Sequence, residues 1–90
     1  MTRLYNWYIE KINEEDLDSK LWARGVVSGH VRLPDGMFIH TSTIASVTME
    51  GETAIIQTQN TRFECKMENA DYTKFTEMQM IDNFADYKAK

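Results

Sequence analysis

An α+β domain, built as an antiparallel β-meander of five to six strands with one C-terminal amphipathic helix, is the fold class this sequence predicts. Three observations lead there. Residues 21–67 carry a period-two pattern broken by short turn signals, and from about residue 71 to 87 the period lengthens to three or four. A length of 90 residues allows one domain, spanning 1–90, and no second.

Taken in order, the first element is the aromatic-rich run Leu4-Tyr5-Asn6-Trp7-Tyr8-Ile9. Leu4, Tyr5, Tyr8, Ile9 and Ile12 recur at helical spacing, yet aromatic and β-branched residues crowd the segment, which favours a strand. The acidic stretch Asn13-Glu14-Glu15-Asp16-Leu17-Asp18 has no apolar period and reads as a solvated loop. A strand over 22–33, bent at Gly29, is predicted to end at the turn Leu33-Pro34-Asp35-Gly36, where Pro presets φ and Gly accepts the positive φ that follows. Strands over 37–42 and 43–49 come next, closed by Glu50-Gly51-Glu52. The β-branched run 53–59 is joined through Asn60, a residue that tolerates the left-handed conformation of a tight turn, to 61–67. There Phe63, Cys65 and Met67 share one face, with Arg62, Glu64 and Lys66 on the other. Tyr72, Phe75, Met78, Ile81, Phe84 and Ala85 then fall on one side of a helical wheel, with Asn69 or Asp71 able to cap its start and Lys88 and Lys90 suited to its end.

Composition narrows the function. Apolar residues at 42% and aromatics at 11% exclude a disordered polymer. A net charge of −4 argues against a protein that coats nucleic acid, since coating works through clustered Lys and Arg. The single cysteine, Cys65, has no partner for an internal disulfide, and the opening residues lack the apolar core of a signal peptide; the expectation is a cytoplasmic protein. No apolar run approaches the roughly 20 residues of a membrane span. A chain this short buries only about 60–65% of its unfolded surface. Tyr5, Trp7, Tyr8 and Trp22 add apolar area that so thin a core absorbs poorly, so a homo-oligomer, most simply a dimer, is expected.

The densest polar cluster flanks the Pro-Asp-Gly turn: Ser28-Gly29-His30-Val31-Arg32 before it and His40-Thr41-Ser42-Thr43 after it. Both histidines are here, and Arg24, Arg32 and Arg62 lie in the meander while all six lysines lie outside residues 21–63. Arginine presents a rigid fork of donors to phosphate or carboxylate, so a small anion site on the sheet is the sharp reading; outward-facing arginines paired with Glu50, Glu52 or Glu64 are the bland one. A shared hairpin would let Arg32 and His40 approach each other. His40-Thr41-Ser42 satisfies a His-x-Ser/Thr pattern found in two-histidine phosphoesterases, but His30 is followed by Val31-Arg32, and the second copy is missing. Cys65, between Phe63 and Met67, reads as core. Two histidines and one cysteine without close spacing make a weak metal set, so no metal, no cofactor and no enzymatic activity are expected.

The run Trp22-x-x-Gly25-x-Val27-x-Gly29-His30-x-Arg32-Leu33-x-Asp35-Gly36-x-x-Ile39-His40-Thr41-Ser42 resembles a pattern in small uncharacterised proteins of bacteria and their phages. In size, acidity and single-sheet character the chain is also similar to phage anti-defence proteins, which inhibit a host nuclease or sequester a nucleotide signal. That resemblance implies a non-catalytic binding module. In the preferred version a small phosphate-bearing ligand, such as a nucleotide, is sequestered by Arg24, His30, Arg32, His40, Thr41 and Ser42. The alternatives are an acidic inhibitor of a nucleic-acid-binding host defence protein, and a small hydrolase using the two histidines.

Overall fold

Aromatic and β-branched residues at alternating positions form six strands, and the first of them settles the segment whose period was double. The computed structural model describes residues 2–16 and 18–75. Over these, the strands are β1 (Arg3–Lys11), β2 (Leu21–Ser28), β3 (Phe38–His40), β4 (Ile44–Glu50), β5 (Thr53–Thr58) and β6 (Arg62–Lys66), followed by 3-10 turns at Met67–Asn69 and Tyr72–Lys74. Most of the predicted C-terminal helix, residues 76–87, lies outside the described residues. Asp71, one of its two predicted caps, accepts the Thr73 amide at the head of the second 3-10 turn.

Two expectations need correction. The sheet is mixed and is not one antiparallel meander: its order is β3-β2-β1-β6-β5-β4, so two three-stranded meanders join where β1 runs parallel to β6. Glu64 N–H donates to Thr2 O at 2.9 Å at the head of that junction, and Asp71 N–H donates to Trp7 O at 2.7 Å near its tail. A period of two identifies strands but not which strands meet, and a parallel pair leaves no hairpin signal. Second, the strand predicted over 22–33 ends at Ser28. Val27 exchanges backbone hydrogen bonds with Gly36 and Met37, so a loop fills residues 29–35 and Pro34-Asp35-Gly36 is only its closing segment. Gly29 at φ 75° and Gly36 at φ 89° make the two reversals.

The two meanders also share a path. Beyond β3, Thr41 N–H still donates to Ala23 O at 2.8 Å, and after Thr43 the same chain enters β4 of the other meander. The sheet therefore curls around one core, drawn from Leu4, Trp7 and Ile9 of β1, Ala23 and Val27 of β2, Ile44 and Val47 of β4, Ala54 and Ile56 of β5, and Phe63 and Cys65 of β6.

A β-bulge sets the inward face of β1. Tyr5 pairs with Val26 and Tyr8 with Arg24, so Asn6-Trp7 oppose Gly25 alone. Asn6 takes φ 51°, which turns both Leu4 and Trp7 inward. Trp7 is fully buried, donates from Nε1 to Lys66 O at 2.8 Å and meets Phe75 edge-on at 5.7 Å. Gly25 is required opposite: a Cβ there would stand 3.0 Å from Trp7 Cβ and 3.1 Å from Tyr5 O.

Candidate functional site: a cationic cleft at the rim

The structure divides the six predicted site residues among three places. Arg24 and His40 are direct cross-strand partners on the outer face of β2 and β3. Thr41 is buried at the corner before β4, where its Oγ1 accepts from Ala23 N–H at 3.0 Å and donates to Ser42 O at 2.7 Å. Its role is to hold the corner. Ser42 Oγ is buried beside it and, among the described residues, has no hydrogen-bond partner. His30 and Arg32 lie in the loop beyond the other end of β2. Arg24 precedes Ser28 by four residues, about 13 Å at ~3.3 Å per residue, so Arg32 does not meet His40, and the two histidines do not converge on one reacting atom.

At the outer face Arg24 is already engaged. Glu10 accepts from Arg24 Nε and, at 2.7 Å, from Trp22 Nε1. That hydrogen bond to Glu10, more than the opposing effect of burial, holds the Arg24 guanidinium proton more tightly than usual. The Trp22 and His40 rings pack against each other at a 36° tilt with centroids 4.1 Å apart, and His40 Nδ1 lies 3.2 Å from Thr41 O. A carbonyl only accepts, so Nδ1 carries the hydrogen and Nε2 of a neutral ring is an acceptor.

At the rim the opposite holds. Thr2, His30, Val31, Arg32, Asn60, Thr61 and Arg62 line a cleft of about 720 Å³. Its walls come from three segments that the parallel β1–β6 pair gathers at one end: the start of β1, the loop after β2 and the turn between β5 and β6. Each wall is built locally. Asp35 Oδ1 accepts Gly29 N–H at 2.9 Å across the loop. Arg32 N–H donates to His30 Nδ1 at 3.0 Å, which leaves the ring hydrogen of neutral His30 on Nε2 as a donor. On the other wall buried Thr58 ties the turn, its Oγ1 donating to Thr61 O at 3.0 Å and accepting Thr61 N–H at 3.1 Å.

Two arginines, a histidine, two threonines and an asparagine thus line one space, and among the described residues its lining includes no carboxylate. Arg62 also contacts Glu50 at 3.6 Å, but both side chains are mostly exposed and such pairs are weak. Sequence reasoning singled out His30 and Arg32 and noted Arg62 among the meander arginines. Thr2, Asn60 and Thr61 carried no chemical signal, because only the parallel junction brings them there. Cys65 offers no nucleophile: it is fully buried, and burial pushes its thiol pKa far up. Among the described residues no group of three or more His, Cys, Asp or Glu could hold a metal ion, and no helix is long and apolar enough to cross a membrane. Comparison of the chain with protein-family models, with curated proteins and with solved structures finds no match.

Proposed function

We propose that the protein is a non-catalytic binding module that holds a small phosphate-bearing ligand, such as a nucleotide, in the rim cleft. The observation that carries this reading is that Arg32, Arg62 and His30 line one cavity whose lining, among the described residues, holds no carboxylate, in a chain whose net charge is −4. Arginine forks match phosphate oxygens bidentately, and the volume lies within the range of small-molecule sites. The site differs from the expected one in membership: Arg24 is engaged by Glu10, and Thr41 braces the corner. Separation of the two histidines favours holding a ligand over acid–base cleavage of it.

Isothermal calorimetry against mono-, di- and cyclic nucleotides and tripolyphosphate tests the proposal. Arg32→Ala and Arg62→Ala should each weaken binding about 10- to 150-fold, the loss of one charge-assisted contact of roughly 1.5–3 kcal/mol. Arg24→Ala should change it less than about 2-fold, since Arg24 is spent on Glu10. Absence of heat with every phosphate compound would remove the reading.

A second reading, acidic mimicry of nucleic acid toward a protein partner, draws support from the order of the β1–β2 connection. Asn13 Oδ1 accepts Glu15 N–H at 3.2 Å and Asp16 Oδ1 accepts Asp18 N–H at 2.9 Å, so exposed Glu14, Glu15, Asp16 and Asp18 are presented on a shaped loop. Silence of the arginine variants, combined with loss of partner binding on reversing these four charges, would favour it.

A further inference from the structure

The outer face of β1, β2 and β3 carries aromatic rings that the core does not cover. Register places Tyr5, Val26 and Phe38 in one row across the three strands, and Tyr8, Arg24 and His40 in the next. Phe38 is 52% and Tyr5 38% exposed, so each leaves a substantial part of its ring on the surface. The tilted Trp22–His40 pair stands at the far end of the same face, each ring hydrogen-bonded, to Glu10 and to the Thr41 carbonyl.

Charge identifies what this face suits. Among the described residues, the Glu10 carboxylate on this face is held by Arg24, and Lys74, which pairs with Asp71 at 3.8 Å, places Nζ 5.8 Å from the Tyr8 ring, so the face carries no uncompensated acid. Among the described residues, exposed Glu14, Glu15, Asp16 and Asp18 lie in the β1–β2 connection at the end opposite the cleft, Glu50, Glu52 and Glu68 lie at the β4–β5 turn and after β6, and Asp35 lies in the loop after β2. The Tyr5–Val26–Phe38 row lies toward the cleft end of the face: Val26 precedes the end of β2 by two residues, about 7 Å at ~3.3 Å per residue, and the cleft residue His30 follows that end by two more. Planar rings beside a cationic channel are the two parts of a surface that binds unpaired bases and their phosphates.

We infer that the ligand of this protein is a short single-stranded oligonucleotide, its bases stacked on Tyr5 and Phe38 and its phosphates entering the cleft at Arg32 and Arg62. The inference deepens the cleft reading and rests on it for the position of the phosphates. Base–aromatic stacking is tolerant of sequence, so length, not base identity, governs affinity.

The test is a titration of the intact protein, followed by fluorescence anisotropy or calorimetry, with thymidine monophosphate, an eight-residue oligothymidylate and tripolyphosphate. The oligonucleotide should bind at least ~10-fold tighter than the monophosphate, and removal of both rings by Tyr5→Ala/Phe38→Ala should weaken it at least ~10-fold. The same double variant should bind tripolyphosphate as wild type does, which also shows that it is folded. Tyr5→Phe, which keeps a ring, should retain oligonucleotide binding. Equal affinity for monophosphate and oligonucleotide, or indifference to the double variant, overturns the stacking inference and leaves the cleft reading standing. Failure of tripolyphosphate and nucleotides alike overturns both. A concentration-dependent dimer in sedimentation that the double variant dissociates also overturns it, by assigning the face to a second copy of the chain.

Discussion

Gly25 and Cys65 show how single positions are held by contact alone. At Gly25 the nearest atoms to an added Cβ are Trp7 Cβ, Tyr5 O and Trp7 Cα, at 3.0 to 3.2 Å, and two of the three are backbone that cannot swing aside. Gly25→Ala should therefore destabilise by about 1–3 kcal/mol, read as a lower denaturation midpoint. Gly36→Ala should cost about 1 kcal/mol for a different reason, since nothing stands within 4 Å and only its φ of 89° is strained. Cys65 gives a pH dependence. Its folded pKa is raised by burial, so the thiol's contribution is whole below the unfolded value of roughly 8.5 and is lost as pH rises above it, because only the unfolded chain then releases the proton. Wild-type stability should fall above about pH 8.5 more steeply than that of Cys65→Val, by at most about 1.4 kcal/mol per pH unit. Thermal unfolding of both proteins between pH 7 and 10 measures the difference.

At the level of elements, the cleft depends on two connections whose order is local. Thr58 is 2% exposed, and its hydroxyl serves Thr61 O and the amides of Asn60 and Thr61. Thr58→Val keeps the volume and removes those bonds, so a loss of about 1–3 kcal/mol in stability is expected together with weaker ligand binding. Asp35→Ala acts on the opposite wall. It frees Gly29 N–H at an exposed site, where water replaces the lost acceptor, so stability should change by less than about 1 kcal/mol while affinity falls through a looser His30–Arg32 segment. Comparing melting midpoint with dissociation constant for the two variants separates bracing from mere folding.

Over the whole molecule, the densest run of acids stands far from the cleft. The acidic connection and the cleft lie at opposite ends of the β1–β2 hairpin, and the eight steps of Arg3–Lys11 span about 26 Å at ~3.3 Å per residue. Screening at physiological salt acts over roughly 8 Å, so the acids scarcely weaken the field at Arg32 and Arg62. Replacing Glu14 and Glu15 by Gln should accordingly change ligand affinity less than about 2-fold at 0.15 M salt and appreciably only at about 0.01 M, where the screening length reaches roughly 30 Å. Affinity measured at both ionic strengths decides this.

Alternation and turn residues by themselves determined that residues 21–67 are mostly strands joined by turns, that Phe63 and Cys65 face inward, and that Arg62 faces out, because each is a property of neighbours along the chain; they missed the loop that replaces the second half of the predicted 22–33 strand. The double period of residues 4–12 has its cause in the bulge: one extra residue at Asn6-Trp7 breaks the alternation and imitates helical spacing, and only pairing with Gly25 shows it. His30 and Arg32 were legible as anion ligands from residue type. Their separation from His40, and their meeting with Thr2, Asn60, Thr61 and Arg62, were decided by tertiary structure. The parallel β1–β6 junction couples segments some sixty residues apart, a long-range pairing that no local period encodes.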